Sequence, residues 1–191
     1  MAPTTLKAPL SQQDAAAVRA GETYTLNGVL YTARDAAHQR LVEMLDNKKA
    51  LPFDLAGQVI YYVGPCPAPP GRVIGSAGPT TSGRMDIYTP RLLAAGVRGL
   101  VGKGDRSPEV VAALKKHGAV YFAAVGGAGA LIARHITSAE VVAFPELGPE
   151  AIYRLEVNNL PVVAAIDSLG NNYYARGRQL YASKKHQGKK G

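Results

Sequence analysis

The chain has 191 residues, 47% of them hydrophobic and 19% charged, enough for one domain with a sizeable core and too apolar for a disordered chain. Its single cysteine, Cys66 in the proline-rich "GPCPAPPG", excludes an internal disulfide framework and any metal cluster held by several thiolates of this chain alone. The formal net charge of +8 includes Lys184, Lys185, Lys189 and Lys190 of a basic tail over 184–191, which reads as a solvated end; without interleaved aromatics or a known module it does not suggest nucleic acid, and the remaining cations suit a small anionic ligand.

The uncharged, apolar run Gly118 to Ala133 is short and glycine-rich for a membrane span, and no charged region followed by an apolar core marks a secretory signal. No repeat or linker divides the sequence. One domain over 1–191, in the reducing cytoplasm and with no membrane partner, is therefore expected.

In chain order, "TYTLNGVLYTA" reads as two β-prone runs joined at Asn27-Gly28, a hairpin with a type I′ turn. In "RDAAHQRLVEMLDN", Ala37, Leu41, Met44 and Leu45 recur at helical spacing, so Arg34 and Asp35 stand where a strand ends and a helix starts. "QVIYYVG" and "RVIGSAG" read as strands around the proline-rich turn, and "PTTSGRMDIYTPRLLAAG" as a loop running into a helix. "VRGLVGKG" is a strand. "SPEVVAALKKHG" is a helix with Ser107 as N-cap, Pro108 in first position and Gly118 at its end. "AVYFAAV" is a buried strand and "GAGALIARHI" a short helix. "AEVVAFPE" and "PVVAAIDSLG" are strands with the amphipathic "AIYRLEV" between them, and "YARGRQLYASKK" is a last helix. Strands alternating with helices define an α/β domain whose mixed, mostly parallel sheet is covered by helices.

Familiar motifs fail on spacing. The glycines from Gly127 place Ile132 where a dinucleotide fingerprint needs its third glycine, and "VRGLVGKGD" has Val97 and Gly104 at two required positions of a phosphate loop. The histidines, His38, His117, His135 and His186, lack metal-ligand spacing, and His38 reads as a helix-face residue. What remains are three segments that place a cation at a strand end, "TARDAAHQR", "GPTTSGRMD" and "GKGD", the last two beside glycines. Arg34, Arg84 and Lys103 could bring three cations to one pocket suited to a dicarboxylate, with backbone amides of "GPTTSG" adding donors at a helix start. The plainer alternative pairs Arg34 and Arg84 with Asp35 and Asp86 on the surface.

The segments "ARDAAHQRL", "YYVGP", "GSAGPTTSGRMD", "GLVGKGD", "VGGAGAL", "FPELGPEAIYRLEV" and "AIDSLGN", in this order from about Leu6 to Gly177, resemble the C-terminal (β-type) domain of class I, iron–sulfur-dependent fumarases. The β subunit of L-tartrate dehydratase is similar. The resemblance implies a swivelling β/β/α domain acting as the β subunit of a two-subunit hydro-lyase, in an α2β2 heterotetramer with a cysteine-containing α subunit. That partner would carry a [4Fe–4S] cluster with one iron open to substrate, leaving no metal on this chain. It also implies that Thr80 is the base exchanging the C3 proton of malate. Arg34 and Arg84 would bind substrate carboxylates and Lys103 would add a cation, with Thr81, Asp86 and Asp105 supporting them. "KGD" together with "RMD" favours fumarate over tartrate; mesaconate is a third substrate, and a non-catalytic anion-binding module a reading of another class.

Overall fold

The computed structural model describes residues 3–124 and 128–187, with the side chains of 182–187 excepted. The glycine turn through Gly127, and the lysines and His186 of the basic tail, lie outside the described residues or side chains. Among the described residues seven strands and six α-helices follow one another as β1 (Thr4–Ala8), α1 (Gln12–Ala17), β2 (Thr23–Thr32), α2 (Asp35–Asp46), β3 (Val59–Tyr61), α3 (Thr89–Ala94), β4 (Gly99–Gly102), α4 (Pro108–His117), β5 (Val120–Ala123), α5 (Gly129–Ala133), β6 (Ile136–Ala143), β7 (Ile152–Ile166) and α6 (Tyr173–Gln187). Two 3₁₀ segments, Ser82–Met85 and Pro145–Glu150, precede α3 and β7.

The sheet is mixed, as expected. β1 through β5 pair in parallel in the order β1-β2-β3-β4-β5, while β7 runs antiparallel to β5, to β6 and to β2. Because β7 reaches from β5 back to β2, strands β2, β3, β4, β5 and β7 close a ring. Side-chain alternation then sorts two cores. Leu26, Leu30, Val59, Tyr61, Val101, Val120, Phe122 and Leu155 fill one. The alternate residues Ile60, Tyr62, Leu100, Tyr121 and Ile166 face the second, against Ala37 and Leu41 of α2, Leu92 and Leu93 of α3, and Val110 and Leu114 of α4. Strands buried on both faces explain the near-continuous apolar runs "VIYYV" and "VYFA".

Three local expectations are corrected. "TYTLNGVLYT" is one strand, β2, not a hairpin. Its two halves both pair with β7, and the register slips between Leu26↔Leu160 and Gly28↔Val157, so the single Asn27 stands opposite Asn158 and Asn159 at a bulge of β7. Gly28 does take a positive φ of 99°, but a Cβ there would lie 2.3 Å from the Ala8 carbonyl oxygen of β1. The glycine serves the bulge and the close approach of β1. "AIYRLEV" and "PVVAAI" merge into the 15-residue β7. "RVIGSAG" forms no strand: it returns beside Cys66 through Cys66 N–H to Ser76 O and Gly75 N–H to Cys66 O, where the neighbouring prolines lack donors, and Ala77 N–H donates to Gly129 O.

Other local rules hold. α4 has Ser107 as N-cap to Val110 N–H, Pro108 in its first turn and Gly118 in the left-handed conformation. The capping box of Ser11 and Asp14 starts α1, an element whose S-x-x-D signal is present in the sequence. No helix among the described residues is long and apolar enough to cross a membrane.

Candidate active site

The cations expected from the sequence gather at one edge, past the carboxyl ends of the parallel strands β2, β3 and β4. Arg34 is the N-cap of α2, two residues beyond β2. Lys103 follows β4 directly, and its side chain is exposed. The "GPTTSGR" loop wedges between the diverging ends of β3 and β4. Thr80 N–H donates to the Tyr62 carbonyl at 2.7 Å, Ser82 N–H donates to the Lys103 carbonyl at 3.0 Å, and Thr81 forms a parallel bridge with Lys103. The buried Ser82 hydroxyl accepts from Lys103 N–H at 3.1 Å and pairs with the Tyr121 hydroxyl at 2.9 Å. Gly102 must be glycine here, because a Cβ would stand 2.0 Å from Ser82 Oγ.

Within this frame the side chains meet. Arg84 Nη2 donates to Thr80 Oγ1 at 3.2 Å. Asp35 Oδ2 lies 3.4 Å from Arg84 Nη2 and 3.8 Å from Arg34 Nη2, so one carboxylate spans both arginines. The plain surface pairing is thus half realised: Asp35 serves both arginines, and Asp86 serves neither. The loop enters a four-residue 3₁₀ turn rather than an α-helix, and the Thr80 and Ser82 amides are already bonded within the fold. Those two amides are therefore not available to an anion.

Asp86 instead holds the buried Arg106. Its Oδ1 accepts from Arg106 Nε at 2.7 Å and its Oδ2 from Ser107 N–H at 2.7 Å, locking the site loop to the start of α4. Asp105 turns to the other side, accepting from Asn172 at 3.1 Å and pairing with Arg178 at 2.7 Å. Burial alone would raise its carboxyl; these bonds and the Arg106 amide hold it below its ordinary value. A cavity of about 430 Å³ lined by Arg19, Asp167, Asn171 and Arg176 shares none of the four residues Arg34, Thr80, Arg84 and Lys103.

Sequence reasoning missed three supports. Arg106 lies between the Tyr62 and Tyr121 rings, 5.1 and 4.9 Å from their centroids, and donates to Thr89 at 2.8 Å. Burial opposes its charge, but Tyr62, Asp86 and Tyr121 hold it charged above its ordinary value. Glu150 Oε1 lies 3.4 Å from Arg34 Nη2. His38 is wholly buried, and its Nδ1–H donates to the Arg34 carbonyl at 2.9 Å, which fixes the backbone at the N-cap. Burial, aided by the nearby Arg106 charge, pulls its pKa down to about 4, so the ring is neutral. Spacing could have flagged His38, four residues after Arg34 on the same helix face; Glu150 and Arg106 are brought in by topology.

Among the described residues no group of three His, Cys, Asp or Glu side chains converges as metal ligands, and the one cysteine, Cys66, is exposed. An iron–sulfur cluster is held by several thiolates, and a chain with one cysteine does not fit that donor set.

Cations and a hydroxyl thus share the carboxyl edge of the parallel strands of an α/β domain, where ligands gather in such folds. Residues 2–177 match the family model described as Fumarase C-terminus, and the chain belongs to that family. It is 43% identical over 152 residues to "Fumarate hydratase class I, aerobic" of Escherichia coli, covering 78% of this chain and 28% of that protein. It is 40% identical over 175 residues to "Fumarate hydratase 2" of Leishmania major, covering 90% and 31%. With "Putative L(+)-tartrate dehydratase subunit beta" of Methanocaldococcus jannaschii it shares 41% identity over 171 residues, 86% of this chain and 88% of that one. The chain thus spans under a third of the length of these fumarate hydratases and most of the length of the subunit beta.

Proposed function

We propose that this chain is the β-type part of a class I fumarate hydratase, catalysing the reversible hydration of fumarate to L-malate. The observation that carries the reading is the Arg84–Thr80 hydrogen bond at the strand edge where Arg34 and Lys103 also stand. A threonine hydroxyl is a weak base unless its alkoxide is stabilised, and a guanidinium donating to Oγ1 supplies that stabilisation. In the dehydration direction Thr80 takes the C3 proton of malate. The electron pair left behind delocalises into the adjacent carboxylate, which becomes a doubly charged aci-carboxylate. Arg34, Arg84 and Lys103 are the cations available to bind and stabilise it. The electron pair then forms the C2–C3 double bond of fumarate as the C2 hydroxyl leaves as hydroxide, a departure that the Lewis acidity of the partner's cluster would assist. In the hydration direction Thr80 returns the proton.

The rest of the active site, including the [4Fe–4S] cluster, is proposed to reside on a cysteine-containing α subunit. This domain would swivel against it, so that closure assembles the site and expels water. The relative named "subunit beta" supports the reading as one part of a two-part enzyme, and that same match favours L-tartrate as the second substrate reading. Asp86 and Asp105 act at a distance, through Arg106 and α6.

The test is the Thr80→Ala variant assembled with the α subunit and followed by fumarate absorbance. Turnover should fall by at least ~100-fold, the low end for loss of a general base, while substrate still binds. Near-normal turnover would end the assignment of Thr80, and hydratase activity of the β chain alone would end the two-subunit reading. Fumarate, tartrate and mesaconate compared on the assembled enzyme decide the substrate.

A further inference from the structure

We infer that Glu150 and Gly64 form a positioning slot for Arg34, and that Glu150 is a positioning residue for the carboxylate site; this rests on the reading of Arg34 as a substrate-binding residue. The segments "YYVGP" and "FPELGPE" otherwise have no part in the chemistry.

Arg34 is the N-cap of α2 but provides no side-chain cap of its own. Glu150 supplies it from 114 residues away: Oε2 accepts from Ala36 N–H at 3.1 Å. The other oxygen, Oε1, faces Arg34 Nη2 at 3.4 Å. A single carboxylate thus caps the helix and orients the guanidinium at its start.

Glu150 is itself delivered rigidly. The hydroxyl of Thr32, buried at the end of β2, donates to the Ala151 carbonyl at 3.2 Å and accepts from Tyr153 N–H at 2.9 Å. Upstream, Glu146 pairs with Arg40 of α2, and Arg40 sits 5.0 Å over the Phe144 ring. The segment before β7 is therefore tied to α2 at both ends.

Gly64 is the opposite wall. A Cβ at this position would lie 3.0 Å from Arg34 Cδ, 3.1 Å from its Nη1 and 2.9 Å from the Pro149 carbonyl oxygen. Only a glycine lets Arg34 pass between β3's extension and Pro149. Arg34 Nε is buried without a hydrogen-bond partner among the described residues, so the slot orients the side chain without saturating it.

Fumarate binding to the full chain, titrated by ¹⁵N NMR on wild type, Arg34→Ala, Glu150→Ala, Glu150→Gln and Gly64→Ala, tests this, with thermal unfolding alongside. Preorganisation predicts about tenfold weaker binding for Glu150→Ala. Glu150→Gln, whose single amide oxygen can keep the Ala36 cap only while its NH₂ turns to Arg34, should retain thermal stability but bind about as weakly as Glu150→Ala. Gly64→Ala should weaken binding with the helix cap intact. If Glu150→Ala unfolds more easily but binds equally well, the residue is only a cap and the proposal fails. If both Glu150 variants bind more tightly, it is only a competing charge and the proposal fails. If wild type and Arg34→Ala are alike, the site reading itself falls and takes this proposal with it.

Discussion

Two arginine clusters lie one on each side of the "GPTTSGRMD" loop, and they are built in opposite ways. Arg106 is fully buried, with Asp86 at 2.7 Å, Thr89 at 2.8 Å and two tyrosine rings stacked on its faces. Arg34 and Arg84 keep 25% and 52% of their side chains exposed, and their pairs to Asp35 and Glu150 are loose, at 3.4 to 3.8 Å. A cation whose donors and faces are all occupied can only support the fold. Cations held by one side and facing solvent with the other can take an anion. The loop between the clusters carries Thr80 toward the open side and Asp86 toward the closed one.

The comparison breaks most sharply at Arg106. Arg106→Met strands the largely buried Asp86 carboxylate, and urea unfolding should show a loss of about 3–5 kcal/mol, the range for removing one partner of a buried pair. If the loss stays near that of a surface pair, the closed cluster is less essential than its geometry implies.

His38, which joins the two clusters, should show itself through acid. Its folded pKa of about 4 lies below the ordinary 6.5. As pH falls below 6.5, the unfolded chain binds a proton that the folded ring refuses. Stability should therefore drop by about 1.4 kcal/mol per pH unit, some 3 kcal/mol in all, until pH 4, and then level for this group. Urea midpoints of wild type and His38→Gln between pH 7 and 4 should diverge in slope; parallel curves would refute the neutral, buried assignment.

The smallest effect belongs to the open cluster. Asp35→Asn removes a carboxylate spanning two exposed arginines and should cost under about 1 kcal/mol of stability. It should also tighten fumarate binding by roughly threefold at low salt, because the competing negative charge is gone, and the gain should fade as salt screens it. Weaker binding would mean that Asp35 aligns the arginines rather than competing for them.

Much of the site was legible because its chemistry sits in short motifs. Arg34 before a helical repeat, Thr80 and Arg84 in one loop, and Lys103 after an apolar strand each follow from local sequence, and the parallel sheet brings all of them to one edge. Asn27-Gly28 misled for a physical reason: a positive φ suits a turn and a bulge equally, and only the pairing of both halves of β2 with β7 selects the bulge. The merger of "AIYRLEV" and "PVVAAI" into one strand depends on the same pairing.

The sequence by itself determined the α/β alternation, the caps of α4, the presence of only one thiol and the position of Arg34, Thr80, Arg84 and Lys103 near strand ends. These rest on backbone propensity, hydrophobic period and side-chain chemistry, which act over a few residues. Only the tertiary structure decided which charge faces which. Asp86 belongs to Arg106, Asp35 bridges Arg34 and Arg84, and Glu150 reaches α2 because β7 crosses the sheet to pair with β2. Ion pairs and helix caps between residues more than a hundred positions apart are set by strand order, and strand order is settled where the ring of strands closes around its shared core.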